Sequence, residues 1–122
     1  MIAYLSGARG LDVDATAVAV EHQQAILPPV VLSELLSDPK LPRVARDSLR
    51  LLPLLEILDG YWERAGLLRS RTIAAGRKAR LADSLIAQVC LDHDVVLISR
   101  DEDFRHLART TGLRLITRAA RA

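Results

Sequence analysis

The amino-acid sequence predicts an α/β fold, a three-layer sandwich in which a mostly parallel central sheet is flanked by helices. Short apolar runs rich in β-branched residues alternate with helical patterns along the chain. Residues 95–98 (VVLI) form a continuous apolar run, as expected of a parallel strand covered on both faces. The chain has 122 residues, half of them hydrophobic, without a polar linker. We therefore expect one domain over residues 1–122.

The first half of the chain alternates helical and strand-like patterns. It predicts a surface helix, a strand, two helices and a second strand, in that order, over residues 12–24, 25–27, 30–36, 43–52 and 54–58. Pro28 and Pro29 suit the first turn of the helix that they precede, because proline lacks the N–H that is unpaired there. Pro42 and Pro53 bound the next helix.

The second half repeats the alternation with clearer boundaries. It predicts two helices, the buried strand, a further helix and a last strand, over residues 61–75, 83–92, 95–98, 102–111 and 113–116. Gly76 and Gly112 follow two of these helices in the position where glycine ends a helix. In parallel sheets of this kind, ligands bind beyond the carboxyl ends of the strands.

Composition excludes several function classes. The excess of Lys and Arg (17) over Asp and Glu (15) is too small to indicate nucleic-acid binding by itself. Much of the arginine lies in the second half, where it either contacts phosphate or keeps the surface soluble. Aromatic residues make up 3% of the chain, which argues against a base-stacking platform. Any contact with nucleic acid would therefore depend on phosphates and metal.

The cellular setting follows from two further features. The one cysteine, Cys90, lies in an apolar run, so it has no internal disulfide partner and is expected to be buried. No apolar run approaches the roughly 20 residues needed to span a bilayer, and we expect no membrane association. A reducing cytoplasm is the expected compartment.

Acidic residues stand where this architecture would form a site. Asp101 and Asp103 follow the buried strand, Asp83 begins an apolar helix, and Glu34 lies within a short apolar helix. Each has a structural alternative, because Asp83 or Asp101 would also serve as a helix N-cap and Glu34 would also suit an exposed helix edge. If their carboxylates converge, they provide the oxygen ligands that Mg²⁺ and Mn²⁺ prefer.

Other catalytic chemistries lack the residues that they need. The three histidines, His22, His93 and His106, are far apart in the sequence and are expected to be surface residues, which argues against zinc. The sequence contains no phosphate-binding glycine loop, dinucleotide fingerprint or nucleophilic elbow.

Four segments together resemble the PIN domains of VapC toxins in order and spacing. They are PVVLSELL at residues 29–36, DSLIA at 83–87, LISRDEDF at 97–104 and GLRL at 112–115. The resemblance implies a PIN-like sandwich and a metal-dependent endoribonuclease toxin using Mg²⁺ or Mn²⁺. It also implies a VapB-like antitoxin partner and a homodimer, for which the apolar helix surface at residues 61–68 is the candidate interface.

The resemblance also assigns roles to particular residues. The catalytic and metal-binding acids would be Glu34, Asp83, Asp101 and Asp103, and Ser99 would be the small hydroxyl residue that supports them. Four basic residues near these acids are candidates for binding RNA: Lys78, Arg80, Arg100 and Arg105.

The chain departs from the family at its start. In the family, a first strand ends in an Asp that precedes a helix resembling residues 2–7, whereas this helix-like segment begins here at Met1. The first strand is then incomplete or missing, unless residues 1–5 themselves join the sheet. Asp12 and Asp14 come after the segment and do not replace the Asp, unless the fold departs from that of the family. Because this acid is absent, the alternative function is a catalytically silent module that binds an antitoxin or RNA.

Overall fold

A computed structural model describes residues 2–4, 25–99 and 101–116. Its sheet contains four strands, β1 Ile2–Tyr4, β2 Ala25–Ile26, β3 Val96–Ile98 and β4 Leu115–Ile116. Five helices are described, α1 Pro29–Leu36, α2 Arg43–Leu51, α3 Tyr61–Ala74, α4 Leu81–Asp92 and α5 Phe104–Thr110. The predicted α/β architecture with a parallel sheet is confirmed.

The strands lie in the order β2-β1-β3-β4, and every pairing is parallel. Within β1, Ile2 pairs with Ala25 on one side and with Val96 on the other. Residues 2–4 are thus a central strand, which agrees with the alternative that residues 1–5 join the sheet and corrects the helical interpretation of this segment. The apolar segment suits either structure, but in the sheet it pairs backbone groups of β2 and β3 that would otherwise be unpaired.

Two further predictions need correction. Residues 54–58 do not form a strand, since only Leu54 pairs, in a single parallel bridge with Leu27. The helix predicted from residue 102 begins at Phe104, because Asp101 and the two residues after it form the turn that leads into α5. The predicted helix over residues 12–24 lies outside the described residues. Each helix in the described ranges is too short or too polar to cross a membrane.

The core lies between the sheet and the helices α3, α4 and α5. Its largest fully buried side chains include Tyr61, Leu68, Ile86, Leu97 and Phe104.

One ion pair fastens α3 to α4. Arg64 donates hydrogen bonds of 3.0 and 2.7 Å to the two carboxylate oxygens of Asp92. Burial opposes ionisation of Asp92, but hydrogen bonds from Arg64 and Gln88 outweigh it and lower the pKa of this carboxyl. The end of α4, and therefore the start of β3, is fixed against α3.

Candidate metal centre

Ser99 connects the central sheet to the acidic residues that follow it. Its side chain is fully buried directly after β3, and its backbone N–H donates to the carbonyl of Ile116 over 3.0 Å. The Ser99 hydroxyl accepts a hydrogen bond of 3.0 Å from the backbone N–H of Asp101. Asp101 is thereby held at the carboxyl end of the sheet, where the strand pattern predicts a ligand site.

Asp101 uses one of its carboxylate oxygens locally. Oδ1 accepts a hydrogen bond of 2.9 Å from the backbone N–H of Asp103, the residue that precedes α5. The structural alternative for Asp101, a turn at the start of the following helix, is therefore partly realised. A single such bond leaves acceptor capacity on the carboxylate, so local structure and metal binding are compatible.

Asp83 is the third residue of α4, and only 8% of it is exposed. The N-cap position belongs to Arg80, which excludes the N-cap alternative for Asp83. Its Oδ2 atom is buried and has no hydrogen-bond partner among the described residues. Burial, followed by the charge of Asp101, raises the pKa of Asp83 to about 6, while Arg80 acts in the opposite direction.

Three carboxylates meet at this point. Oxygens of Asp83, Asp101 and Asp103 all lie within 4.8 Å of one another. Three like charges at this separation repel one another unless a cation or a proton relieves them. The Oδ2 atom of Asp83 has no hydrogen-bond partner among the described residues, so it is available to coordinate a cation. A donor set made only of carboxylate oxygens suits a hard divalent ion. The residues present therefore fit Mg²⁺ or Mn²⁺.

Glu34 lies outside this group of three. Its side chain is exposed, and within α1 only Val31 is fully buried, so the apolar neighbours of Glu34 in the sequence do not bury its carboxylate. The alternative, a Glu on the exposed edge of the helix, describes it. Glu34 nevertheless acts on the site, because its charge contributes to the raised pKa of Asp83.

Two of the predicted RNA-binding residues contact the acids directly. The Lys78 ammonium lies 3.1 Å from Oδ2 of Asp103, and the Arg80 guanidinium lies 3.9 Å from the same atom. Sequence reasoning named all three residues but missed these pairings, because Asp103 is 25 and 23 positions from its partners. Arg105 instead pairs with Glu102 over 3.5 Å, and Arg100 lies outside the described residues.

Neither the described histidines nor the cysteine belongs to the group of clustered carboxylates. A ring nitrogen of His93 lies 2.7 Å from the carbonyl of Glu56, and His22 is not among the described residues. His106 is half-buried rather than a simple surface residue, and its Nδ1 is buried without a hydrogen-bond partner in the described ranges. Cys90 is buried as predicted, and burial raises the pKa of its thiol to about 12.

The candidate interface at residues 61–68 needs a correction. Tyr61 and Leu68 are buried in the core of the chain itself, so they are unavailable to a partner. Trp62 and Leu67 are 66% and 61% exposed on the other side of α3. Only these outward side chains remain as candidate contacts from the segment.

Solved structures of toxin-antitoxin systems share the fold. VapBC2 from Rickettsia felis, bound to a promoter DNA fragment, matches at a TM-score of 0.64 and 18% identity, covering 96% of this chain and 98% of its own. VapBC-1 from nontypeable Haemophilus influenzae matches at a TM-score of 0.66 and 15% identity, covering 98% of this chain and 99% of its own. VapBC-5 from Mycobacterium tuberculosis matches at a TM-score of 0.63 and 22% identity, covering 76% of this chain and 81% of its own. No curated protein matches by sequence.

The family model described as PIN domain matches residues 2–110, which is most of the chain. This range includes β1, the three clustered carboxylates and their basic partners. The resemblance inferred from the sequence motifs is confirmed at the level of the family and of the fold. The chain belongs to the PIN domain family.

Proposed function

We propose that the protein is the endoribonuclease toxin of a VapBC-type pair, cleaving RNA phosphodiester bonds with Mg²⁺ or Mn²⁺ held by Asp83 and Asp101. The observation that carries this proposal is the group of three carboxylates whose oxygens lie within 4.8 Å of one another, in which the buried Asp83 has an Oδ2 atom without a hydrogen-bond partner among the described residues. A purely structural carboxylate at that depth would be expected to have a hydrogen-bond donor.

The roles of the residues follow from their positions. Asp83 and Asp101 would bind the ion directly. The Ser99 hydroxyl positions Asp101 by accepting a hydrogen bond from the backbone N–H of Asp101. A bound divalent ion would polarise the scissile phosphate and lower the pKa of the attacking water. Glu34, exposed on α1 beside the centre, would accept a hydrogen bond from that water or complete the coordination.

The charges around the centre favour one divalent ion rather than two. The proposed acids are Glu34, Asp83, Asp101 and Asp103, and together they carry four negative charges. Lys78 and Arg80, which both pair with Asp103, offset two of these negative charges. Without RNA, the remaining two negative charges are balanced by a single divalent ion, whereas a second ion would leave a surplus of positive charge until a substrate phosphate binds. Asp103 would therefore act mainly by holding Lys78 and Arg80 beside the substrate phosphate.

Calorimetric titration with Mn²⁺ and hydrolysis of a labelled RNA test the proposal. We expect one ion per chain, Mn²⁺-dependent cleavage, and loss of both in the variant Asp83→Asn. Glu56→Gln is the matched control, because Glu56 is exposed and is not among the charges that act on Asp83. Wild-type protein that binds no Mn²⁺, or an Asp83→Asn variant that cleaves like the wild type, would refute the assignment.

A second function, a catalytically silent module that binds RNA or an antitoxin, is favoured by one sequence observation. Leu5 and Ser6 follow β1, and no acid occurs before Asp12. The resemblance implies an acid at the end of the first strand, and residues 1–11 contain none. Loss of one ligand loosens the alignment of water and phosphate on which the rate depends. Mn²⁺ binding without RNA cleavage would identify this second function.

The partners of the protein are part of the same proposal. The structures that share the fold belong to toxin-antitoxin systems, and we propose a small antitoxin as the partner of this chain. We also propose a homodimer that covers exposed apolar side chains of α3, including Trp62, Leu67 and Ile73. Light scattering of the reduced protein tests this, and a monomer across micromolar concentrations would contradict it.

A further inference from the structure

A second, positively charged cavity adjoins the candidate metal centre. It is open to solvent, has a volume of about 380 Å³, and is lined by Arg77, Glu102, Asp103, Arg105, His106 and Arg109. Asp103 belongs to both places, because its carboxylate is one of the three clustered at the metal centre. The arginine pocket, as we call this cavity, therefore begins where the metal centre ends.

The backbone fixes the arginines at the walls of this pocket. Arg105 and Arg109 are one turn apart on α5, so their side chains leave the same face of the helix. Arg77 follows Gly76, whose φ of 78° lets the chain turn sharply after α3. The Arg77 N–H donates to the carbonyl of Thr72 over 3.1 Å, which holds this turn against the helix.

The pocket has positive charge that the described part of the chain does not neutralise. Arg105 pairs with Glu102, and Asp103 is paired on its other side with Lys78 and Arg80. Among the described residues, no ion pair involves Arg77 or Arg109.

A polar group in the wall is also without a partner. Nδ1 of His106 is buried and has no hydrogen-bond partner in the described part of the chain. Two unpaired guanidinium groups beside such a ring favour an anionic ligand with several acceptor oxygens.

We propose that the arginine pocket binds a phosphate of the RNA strand next to the scissile phosphate, and so sets how the strand enters the active site. This inference rests on the proposed function, since it requires the scissile phosphate to lie at the carboxylates. Neighbouring phosphates in one strand are separated by a single sugar, and the two sites adjoin each other because Asp103 belongs to both. The lining residues include no Phe, Tyr or Trp, and three of the six are arginines, so we assign the contact to the sugar-phosphate backbone of the RNA rather than to a base.

The test measures binding of a fluorescein-labelled single-stranded RNA oligonucleotide by anisotropy, in EDTA and over a series of salt concentrations. EDTA removes both metal and cleavage, so this result is independent of catalysis. The double variant Arg77→Ala/Arg109→Ala is compared with Arg43→Ala/Arg50→Ala, which removes the same charge from α2, away from the pocket. Titration with Mn²⁺ is carried out on every protein to test the metal centre separately.

If both arginines neutralise RNA phosphates, the slope of log affinity against log salt should fall by about 1.4 in the pocket variant, at roughly 0.7 per contact. We expect at least tenfold weaker RNA binding at low salt, unchanged Mn²⁺ binding, and a smaller slope change in the control. Equal slopes in the two double variants would overturn the proposal. A pocket variant that loses binding to poly-L-glutamate but not to RNA would also overturn it, because the occupant would then be an acidic protein segment.

Discussion

The protonation of Asp83 gives the most direct physical test of the site. The pKa of this carboxyl is raised from 3.8 to about 6, first by burial and then by Asp101. The folded protein therefore holds the Asp83 proton more tightly than the unfolded chain does. The resulting stability is fully present below about pH 4 and is lost as the pH rises through about 6. At neutral pH, the shift of about 2 pKa units corresponds to roughly 3 kcal/mol of lost stability.

Replacing Asp83 with Asn removes this charge and should stabilise the metal-free protein. We expect the free energy of unfolding in EDTA at about pH 7.5 to rise by about 1–2 kcal/mol, less than the full ionisation cost, because the Asn amide is also buried without a partner. At about pH 4.5 the ionisation cost is only about 1 kcal/mol, so the advantage of the variant should shrink. Urea unfolding at the two pH values measures both quantities.

Added Mn²⁺ should reverse the order of stability. An ion present at about 100 times its dissociation constant stabilises the wild type by about 2.7 kcal/mol, and it should leave Asp83→Asn almost unchanged. The control Glu56→Gln should follow the wild type at both pH values and with metal. A stability of Asp83→Asn that stays below that of the wild type in EDTA at about pH 7.5 would refute the reasoning. A difference between the two proteins that does not change with pH would refute it equally.

Three further outcomes are expected. Ser99→Ala removes the acceptor of the Asp101 N–H, and should cost about 1 kcal/mol in urea unfolding and weaken Mn²⁺ binding at least tenfold in calorimetry. Phe104→Ala should lower the free energy of unfolding by about 3–5 kcal/mol, because the side chain is fully buried, and a loss under 1 kcal/mol would contradict its place in the core. Cys90 should not react with a disulfide reagent at about pH 8 until urea unfolds the chain, since burial raises its pKa to about 12.

Local sequence patterns predicted the elements that depend on local chemistry. The apolar run at residues 95–98 contains β3, and Gly76 ends α3 with a positive φ, as its position in the sequence indicates. The strand predicted over residues 54–58 does not form, because an apolar run becomes a strand only where it can pair with a neighbouring strand. In this segment only Leu54 pairs, in one bridge with Leu27. The short segment at residues 2–4 likewise took its structure from the strands on each side of it.

The part of the site that follows the end of a strand could be predicted from the sequence. Asp101 and Asp103 come three and five residues after the last residue of β3, so the parallel sheet by itself places them near its carboxyl edge. The sequence left the burial of Glu34 open, because its apolar neighbours in the sequence are only partly buried and burial depends on which helix face the fold covers. The ion pairs of Asp103 with Lys78 and Arg80 could not be predicted for a different reason. Residues more than 20 positions apart form no recognisable pattern in the sequence.

The charge of the whole chain conceals how charge is arranged around Asp103. A formal net charge of +2 is too small to attract RNA strongly. On one side of Asp103, however, the clustered carboxylates leave a negative site, and on the other side Arg77 and Arg109 leave a positive one. Phosphate is repelled by the first site until a cation binds there, whereas the second attracts it regardless of metal. Under our proposals, RNA would therefore bind through the arginine pocket first, and the ion would determine whether the neighbouring phosphate can approach the carboxylates.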